Sequence, residues 1–139
     1  MRIFYPFILL LLLSCNSNQN NNQSYIKANI NGITHNYPAK GSRSGVTVGL
    51  SGTESVGSYI FIAIANNTSK TYNLCTSCGV SLSSQVQLVY NYKTFTSEDN
   101  GNIVANFNNG WVSGTFQGNL YDINNNPTFC TGSFNVRID

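Results

Sequence analysis

The chain has 139 residues, of which 41% are apolar, 12% aromatic and only 9% charged, with a formal net charge of +2. That length suits one domain with one core. The weak charge excludes the basic footprint of a nucleic-acid binder, and the apolar and aromatic content excludes a charge-rich disordered chain.

At the amino terminus, Arg2 is followed by an apolar run from Ile3 to Leu13, broken only by Pro6. The run is too short to cross a bilayer, which takes about 20 helical residues. It fits a signal-peptide core of about 7–15 residues. It ends Leu12-Leu13-Ser14-Cys15, which resembles a bacterial lipobox, with Leu13 bulkier than the usual residue at that position. The resemblance implies cleavage before Cys15, diacylglycerol on its thiol and acylation, by palmitate for example, of the new amino group. Several acyl chains on one residue anchor a protein stably, whereas one chain does so only marginally.

Asn16 to Ser24 is built from Asn, Ser and Gln and cannot pack, so it reads as a flexible tether. As a random coil it reaches roughly 15–18 Å. Residues 1–14 are therefore expected to be the signal peptide, 15–24 the lipidated Cys15 and its tether, and 25–139 a single β-domain. Asn16 is not the Asp that favours inner-membrane retention in proteobacteria. The acidic residues that follow the Cys of surface-exported Bacteroidota lipoproteins are also missing. By that analogy the expected location is the cell envelope, at the periplasmic face of the outer membrane, with the surface as the other position open to it.

From Tyr25 onward no helical period holds, and alternation dominates. Ile26, Ala28 and Ile30 alternate with polar residues. Asn31-Gly32 predicts a type I′ hairpin turn, and Ile33, His35 and Tyr37 alternate on the return. Pro38 to Gly45 reads as a polar loop and Val46 to Leu50 as a short strand. Tyr59 to Ala65 is apolar on both parities, which predicts a strand covered on both faces. Asn66-Asn67 predicts a turn, with Thr71 to Cys75 returning. Val86, Leu88, Tyr90 and Tyr92 share a face. Glu98-Asp99-Asn100-Gly101 and Asn108-Asn109-Gly110 read as turns. Val112, Gly114 and Phe116 share one face of the next strand. Cys130, Gly132, Phe134, Val136 and Ile138 share one face of the last. The expectation is an all-β fold: an antiparallel β-sandwich or partly closed barrel of about eight or nine short strands. Gly114 and Gly132 mark close approaches within strands, with Phe116 and Phe134 filling the core beside them.

Several short motifs resemble a family of small Bacteroidota lipoproteins built on a β-domain of unknown function. They are Ile26-Lys27-Ala28-Asn29-Ile30-Asn31-Gly32, Tyr59-Ile60-Phe61-Ile62-Ala63-Ile64, Tyr90 with Gly101-Asn102-Ile103, Val112-Ser113-Gly114-Thr115-Phe116, and Thr131-Gly132-Ser133-Phe134. The usual member has an Asn between the Thr and Gly of the last motif, whereas Thr131 abuts Gly132 here. The Cys75-x-x-Cys78 pair is not part of that pattern. The resemblance covers most of 25–139, implies a β-sandwich-like lipoprotein domain, and carries over no catalytic residue.

Three cysteines remain beyond Cys15. In an oxidising compartment two of them pair. Cys130 shares the inward face of the last strand and Cys75 has outward parity. The favoured pairing is therefore Cys75–Cys78, with Cys130 a buried thiol; Cys130 bonded to Cys75 or Cys78 is the alternative. Redox work would need the pair at a helix amino terminus, and no helix follows Cys78. A zinc site from the three cysteines and His35 has the ligand types but only one close pair.

His35 is the single histidine, with no acid near it in sequence, and reads as a surface hairpin residue rather than a catalytic base. An enzyme would require a solvent-facing cluster around His35 or the cysteine pair. Asp122-Ile123-Asn124-Asn125-Asn126 imitates a calcium loop, but Pro127 stands where Gly is needed and no Glu follows. It reads as a turn. Trp111 shares the polar face of its strand with Ser113, Thr115 and Gln117. These four are the candidate ligand-binding residues, Trp111 serving either as a stacking platform or as a rim residue. No catalytic residue, metal or cofactor is expected. The expected function is a non-catalytic, membrane-anchored binding module for a glycan or peptide. The alternative is a structural lipoprotein, with an envelope protein as partner and no small ligand.

Overall fold

The structure, a computed structural model, describes residues 23–75 and 83–139. The expected signal peptide, Cys15, most of the expected tether and Cys78 lie outside the described residues. The strands are β1 (Tyr25–Ile30), β2 (Ile33–Ser44), β3 (Thr47–Ser55), β4 (Ser58–Ile64), β5 (Lys70–Asn73), β6 (Gln85–Tyr90), β7 (Lys93–Asn108), β8 (Trp111–Tyr121) and β9 (Pro127–Arg137). The sheet runs β5-β7-β6-β4-β3-β2-β1-β9-β8, and β7 also pairs β8. Eight strands thus close into an antiparallel barrel and β5 is the ninth. Closure removes the exposed edges that an open sheet of this size would carry.

The alternation in β1, β3, β4, β6 and β9 decides which residues fill the barrel. Ile26, Ile30, Leu50, Ile60, Ile62, Leu88, Ile103 and Phe134 are all buried in it. One face of β4 is not covered: Tyr59 and Phe61 are exposed while Ile60, Ile62 and Ile64 are buried. The expectation of a strand covered on both sides fails because a barrel buries only its inner face.

The segment expected to loop from Pro38 to Gly45 is strand as far as Ser44, and Gly45 opens the tight turn to β3. β2 pairs β1 from Ile33 to Pro38 and β3 from Ala39 to Ser44. Pro38 stands at that hand-over in mid-strand, where the ladder to β1 ends and a missing N–H is tolerated. The expected turn at Glu98–Gly101 is instead a bulge inside β7, where the register with β8 shifts between Ser97 and Gly101. Gly101 adopts φ 141 there, so the residues that suit a turn also suit a bulge.

The bulge lets one long strand hold three neighbours. β7 pairs β6 through 93–96 and β5 through 102–105, both on the same edge. Val86 N, beside the bulge, donates to the buried Ser97 Oγ at 2.9 Å. β5 therefore returns to β7 and not to β4. The chain leaves this edge at Cys75, whose N–H donates to Ser84 O at 3.0 Å where it rejoins. Cys75 is buried, contrary to its outward parity, because it lies past the last β5 pairing.

Asn31-Gly32 and Asn109-Gly110 both take the positive φ pairs of type I′ turns. A third such turn was not legible. Asn91 and Tyr92 have φ 50 and 61, so Tyr92 is an exposed turn residue and not an inward strand residue. Its N–H donates to Gly57 O at 3.3 Å.

Candidate functional site

The outward face of β1, β9, β8 and β7 carries polar residues in register. One row runs Thr34, Asn29, Thr131, Gln117, Asn102 across five strands. The next runs Asn36, Lys27, Ser133, Thr115, Val104. Neighbouring strands lie about 4.8 Å apart, so amides and hydroxyls recur at that spacing along the first row, while Lys27 and Val104 interrupt the second. Between them lies a groove of ≈ 680 Å³ lined by most of these residues, with Ala28, Phe116 and Gly132 as its floor.

Asn and Gln each offer a donor and an acceptor, and Ser and Thr hydroxyls do both. Asn29 is held in place: its Oδ1 accepts from Gly32 N at 3.0 Å, and its Nδ2 donates to Thr34 Oγ1 at 3.3 Å. Lys27 Nζ lies 5.1 Å from the centre of the Tyr25 ring, a cation–π contact. A second hollow of ≈ 170 Å³ adjoins, with Lys27 as its shared wall beside Tyr25, Asn36 and Pro38.

The four candidate residues on β8 are split by the structure. Thr115 and Gln117 line the groove. Ser113 lies one row further, opposite Asn135 and Asn106, and Trp111 starts the strand opposite Arg137 and Asn108. Trp111 is half-buried and does not line the groove. Lys27, Asn29, Thr131, Ser133 and Asn102 were missed. Each has outward parity, but nothing local says that β1 and β9 are neighbours.

A second polar cluster sits at one mouth of the barrel. His35 is not the isolated surface residue expected from sequence: Nδ1 lies 3.0 Å from Glu54 Oε2, and the His35 side chain is only 12% exposed. Ser58 Oγ donates to the same Glu54 oxygen at 3.1 Å. The carboxylate thus stands between imidazole and hydroxyl, whereas activating a serine needs the imidazole between them. The Tyr90 ring meets His35 edge-on at 4.9 Å. His35 Nε2 is buried without a hydrogen bond, and the buried Tyr37 hydroxyl has Ser58 as its polar neighbour. Burial pushes the Tyr37 pKa up, and Ser58 only tempers the rise.

Cys130 is a buried free thiol, its pKa pushed up to about 12 by desolvation. That removes the alternative pairings of Cys130, while the Cys75–Cys78 pairing itself lies outside the described residues. The Asp122 carboxylate is occupied by its own loop. Oδ1 accepts from Asn124 N at 2.9 Å and Asn126 N at 2.8 Å, and Oδ2 from Asn126 Nδ2 at 3.0 Å. These bonds, those from Asn126 foremost, hold its pKa below the usual carboxylate value. Among the described residues no three of His, Cys, Asp and Glu come together.

No family model, curated protein or solved structure matches this chain.

Proposed function

We propose that the protein is a non-catalytic, membrane-anchored binding module of the cell envelope, and that its ligand is a glycan. The observation that carries this reading is the groove on the outer wall, lined by amides and hydroxyls from five strands. Such side chains match the alternating donors and acceptors of sugar hydroxyls, and a closed barrel holds them rigidly. The His35–Glu54–Ser58 order supports a structural rather than a catalytic use of that cluster. The lipobox at Cys15 supports the anchor, and the likeness to small Bacteroidota lipoproteins points the same way. The chain enters β1 beside Arg137, whose N–H donates to Ser24 Oγ at 3.0 Å.

The test is binding of the full chain, in uncharged detergent, to a panel of neutral and acidic glycans and extended peptides. A glycan bound by the parent and lost in Gln117→Ala and Asn29→Ala supports the reading. Loss only in Trp111→Ala would move the site off the groove. Peptide binding alone would replace the ligand class. For the anchor, a palmitate analogue fed to producing cells should label the chain, and Cys15→Ser should abolish that label.

One observation favours the second reading, a lipoprotein that engages a protein partner and no small ligand. Ile33, Val56, Tyr92 and Ile123 are exposed in or beside the four turns at one end of the barrel. Crosslinking in the intact envelope through residues placed at Val56 and Ile123 would trap that partner. A crosslink there together with silence on the panel would favour this reading over glycan binding.

A further inference from the structure

The groove mixes amides and hydroxyls with apolar surface at Val104, and its single charge has no counterpart. Of the twelve residues lining it, Lys27 alone is ionisable. None of the five acidic residues, Glu54, Glu98, Asp99, Asp122 and Asp139, lines it. Among the described residues Lys27 Nζ makes no ion pair and rests instead on the Tyr25 ring. Lys27 is exposed and stands at the boundary between two hollows, open to a ligand from either.

We propose that Lys27 reads a carboxylate, so that the site selects an acidic, uronic-acid-type glycan over its neutral counterpart. The proposal rests on the glycan reading of the groove and names the ligand's charge. The ammonium has donors only, so a sugar hydroxyl gives it an ordinary hydrogen bond. A carboxylate gives it a charge-assisted bond about twice as strong. The surrounding amides and hydroxyls bind the sugar hydroxyls without adding a competing anion. Tyr25 and Pro38, beyond Lys27, add to the apolar surface of the exposed Val104 within the groove, on which a sugar ring can lie.

The experiment compares two ligands that differ only in charge: oligogalacturonate and its methyl ester. The full chain is used in uncharged detergent, with a chelator present to remove divalent ions. The expected result is binding of the acid about tenfold tighter than the ester, a gap that narrows with added salt. Lys27→Gln should bring the acid's affinity level with the ester's, abolishing the preference. Lys27→Arg should restore the preference. Equal binding of both ligands by the parent chain overturns the proposal while leaving the glycan reading standing. A preference that survives Lys27→Gln also overturns it. Binding of neither ligand overturns the proposal, and silence across the wider panel then removes the glycan reading as well. Far-UV circular dichroism of each variant confirms that a lost preference is not a lost fold.

Discussion

Phe116 on β8 stands directly opposite Gly132 on β9, and two residues along the same ladder Phe134 stands opposite Gly114. Each aromatic ring covers the glycine of the neighbouring strand, not the glycine two residues before it in its own. A Cβ on Gly114 would lie 2.8 Å from Phe134 Cζ, and one on Gly132 would overlap the Phe116 ring and the Lys27 carbonyl oxygen. The pair of glycines is what lets two large rings lie flat against the inner wall.

Gly132→Ala should therefore destabilise the barrel by about 1–3 kcal/mol through overpacking, read from the urea midpoint. Phe116→Ala should cost about 3–5 kcal/mol. The double variant should cost less than the sum, because removing the ring frees half the space the new methyl needs. Strict additivity would show that the ring and the glycine do not share that space. The Lys27 carbonyl is backbone and cannot move aside, so the alanine should retain part of its cost.

Ser97→Ala should cost about 1–3 kcal/mol although it removes one oxygen. Its hydroxyl accepts from Val86 N–H at 2.9 Å and is fully buried, so the variant leaves a buried donor without an acceptor. Hydrogen exchange at the Val86 amide should speed up before that of Leu88, one ladder position away. An unchanged Val86 rate would mean that the ladder, and not Ser97, protects that amide.

Tyr37→Phe should change stability by less than about 1 kcal/mol at pH 7, since the buried hydroxyl has no partner better than the neighbouring Ser58. Alkaline pH sharpens the test. Burial raises the Cys130 pKa from 9.0 to about 12 and the Tyr37 pKa above 10.0. Both groups stay neutral in the folded chain at a pH where the unfolded chain ionises them. Their contribution is complete below about pH 9 and is lost as pH climbs toward the folded values. The urea midpoint should fall between pH 8 and about pH 11, and fall less in the Cys130→Ala, Tyr37→Phe double variant. An equal fall in both proteins would place the alkaline sensitivity elsewhere.

Cys130 should resist alkylation in the folded chain at pH 8 and react only on unfolding, because thiolate is the reactive form and burial suppresses it. The proposed Cys75–Cys78 bridge adds a second expectation. Without reductant, the unfolded chain from Asn16 onward should take up one alkyl group, and with reductant three. Three groups without reductant would remove the bridge. The bridge would close a loop of four residues beside the Cys75–Ser84 neck, so its contribution to stability should be small.

Much of this protein was legible in the order of its residues. Alternation at Ile26, Ala28 and Ile30 fixed which side of β1 is buried, and Asn31-Gly32 and Asn109-Gly110 fixed two turns, because positive φ is a local demand that few residues meet. The same local logic misjudged Glu98–Gly101, since a bulge and a turn ask for the same residues. It also missed Tyr92, whose positive φ is accompanied by a bond to Gly57 from another hairpin. What only the tertiary structure decided is adjacency. Thr115 and Gln117 could be named from the polar face of one strand. Lys27 and Asn29 join them only because β1 lies beside β9 and β9 beside β8, a pairing between the two ends of the chain. Glu54 meets His35 for the same reason, nineteen residues away in sequence and 3.0 Å away in space. Periodicity tells each strand which side faces inward, and barrel closure alone decides which outward sides become neighbours.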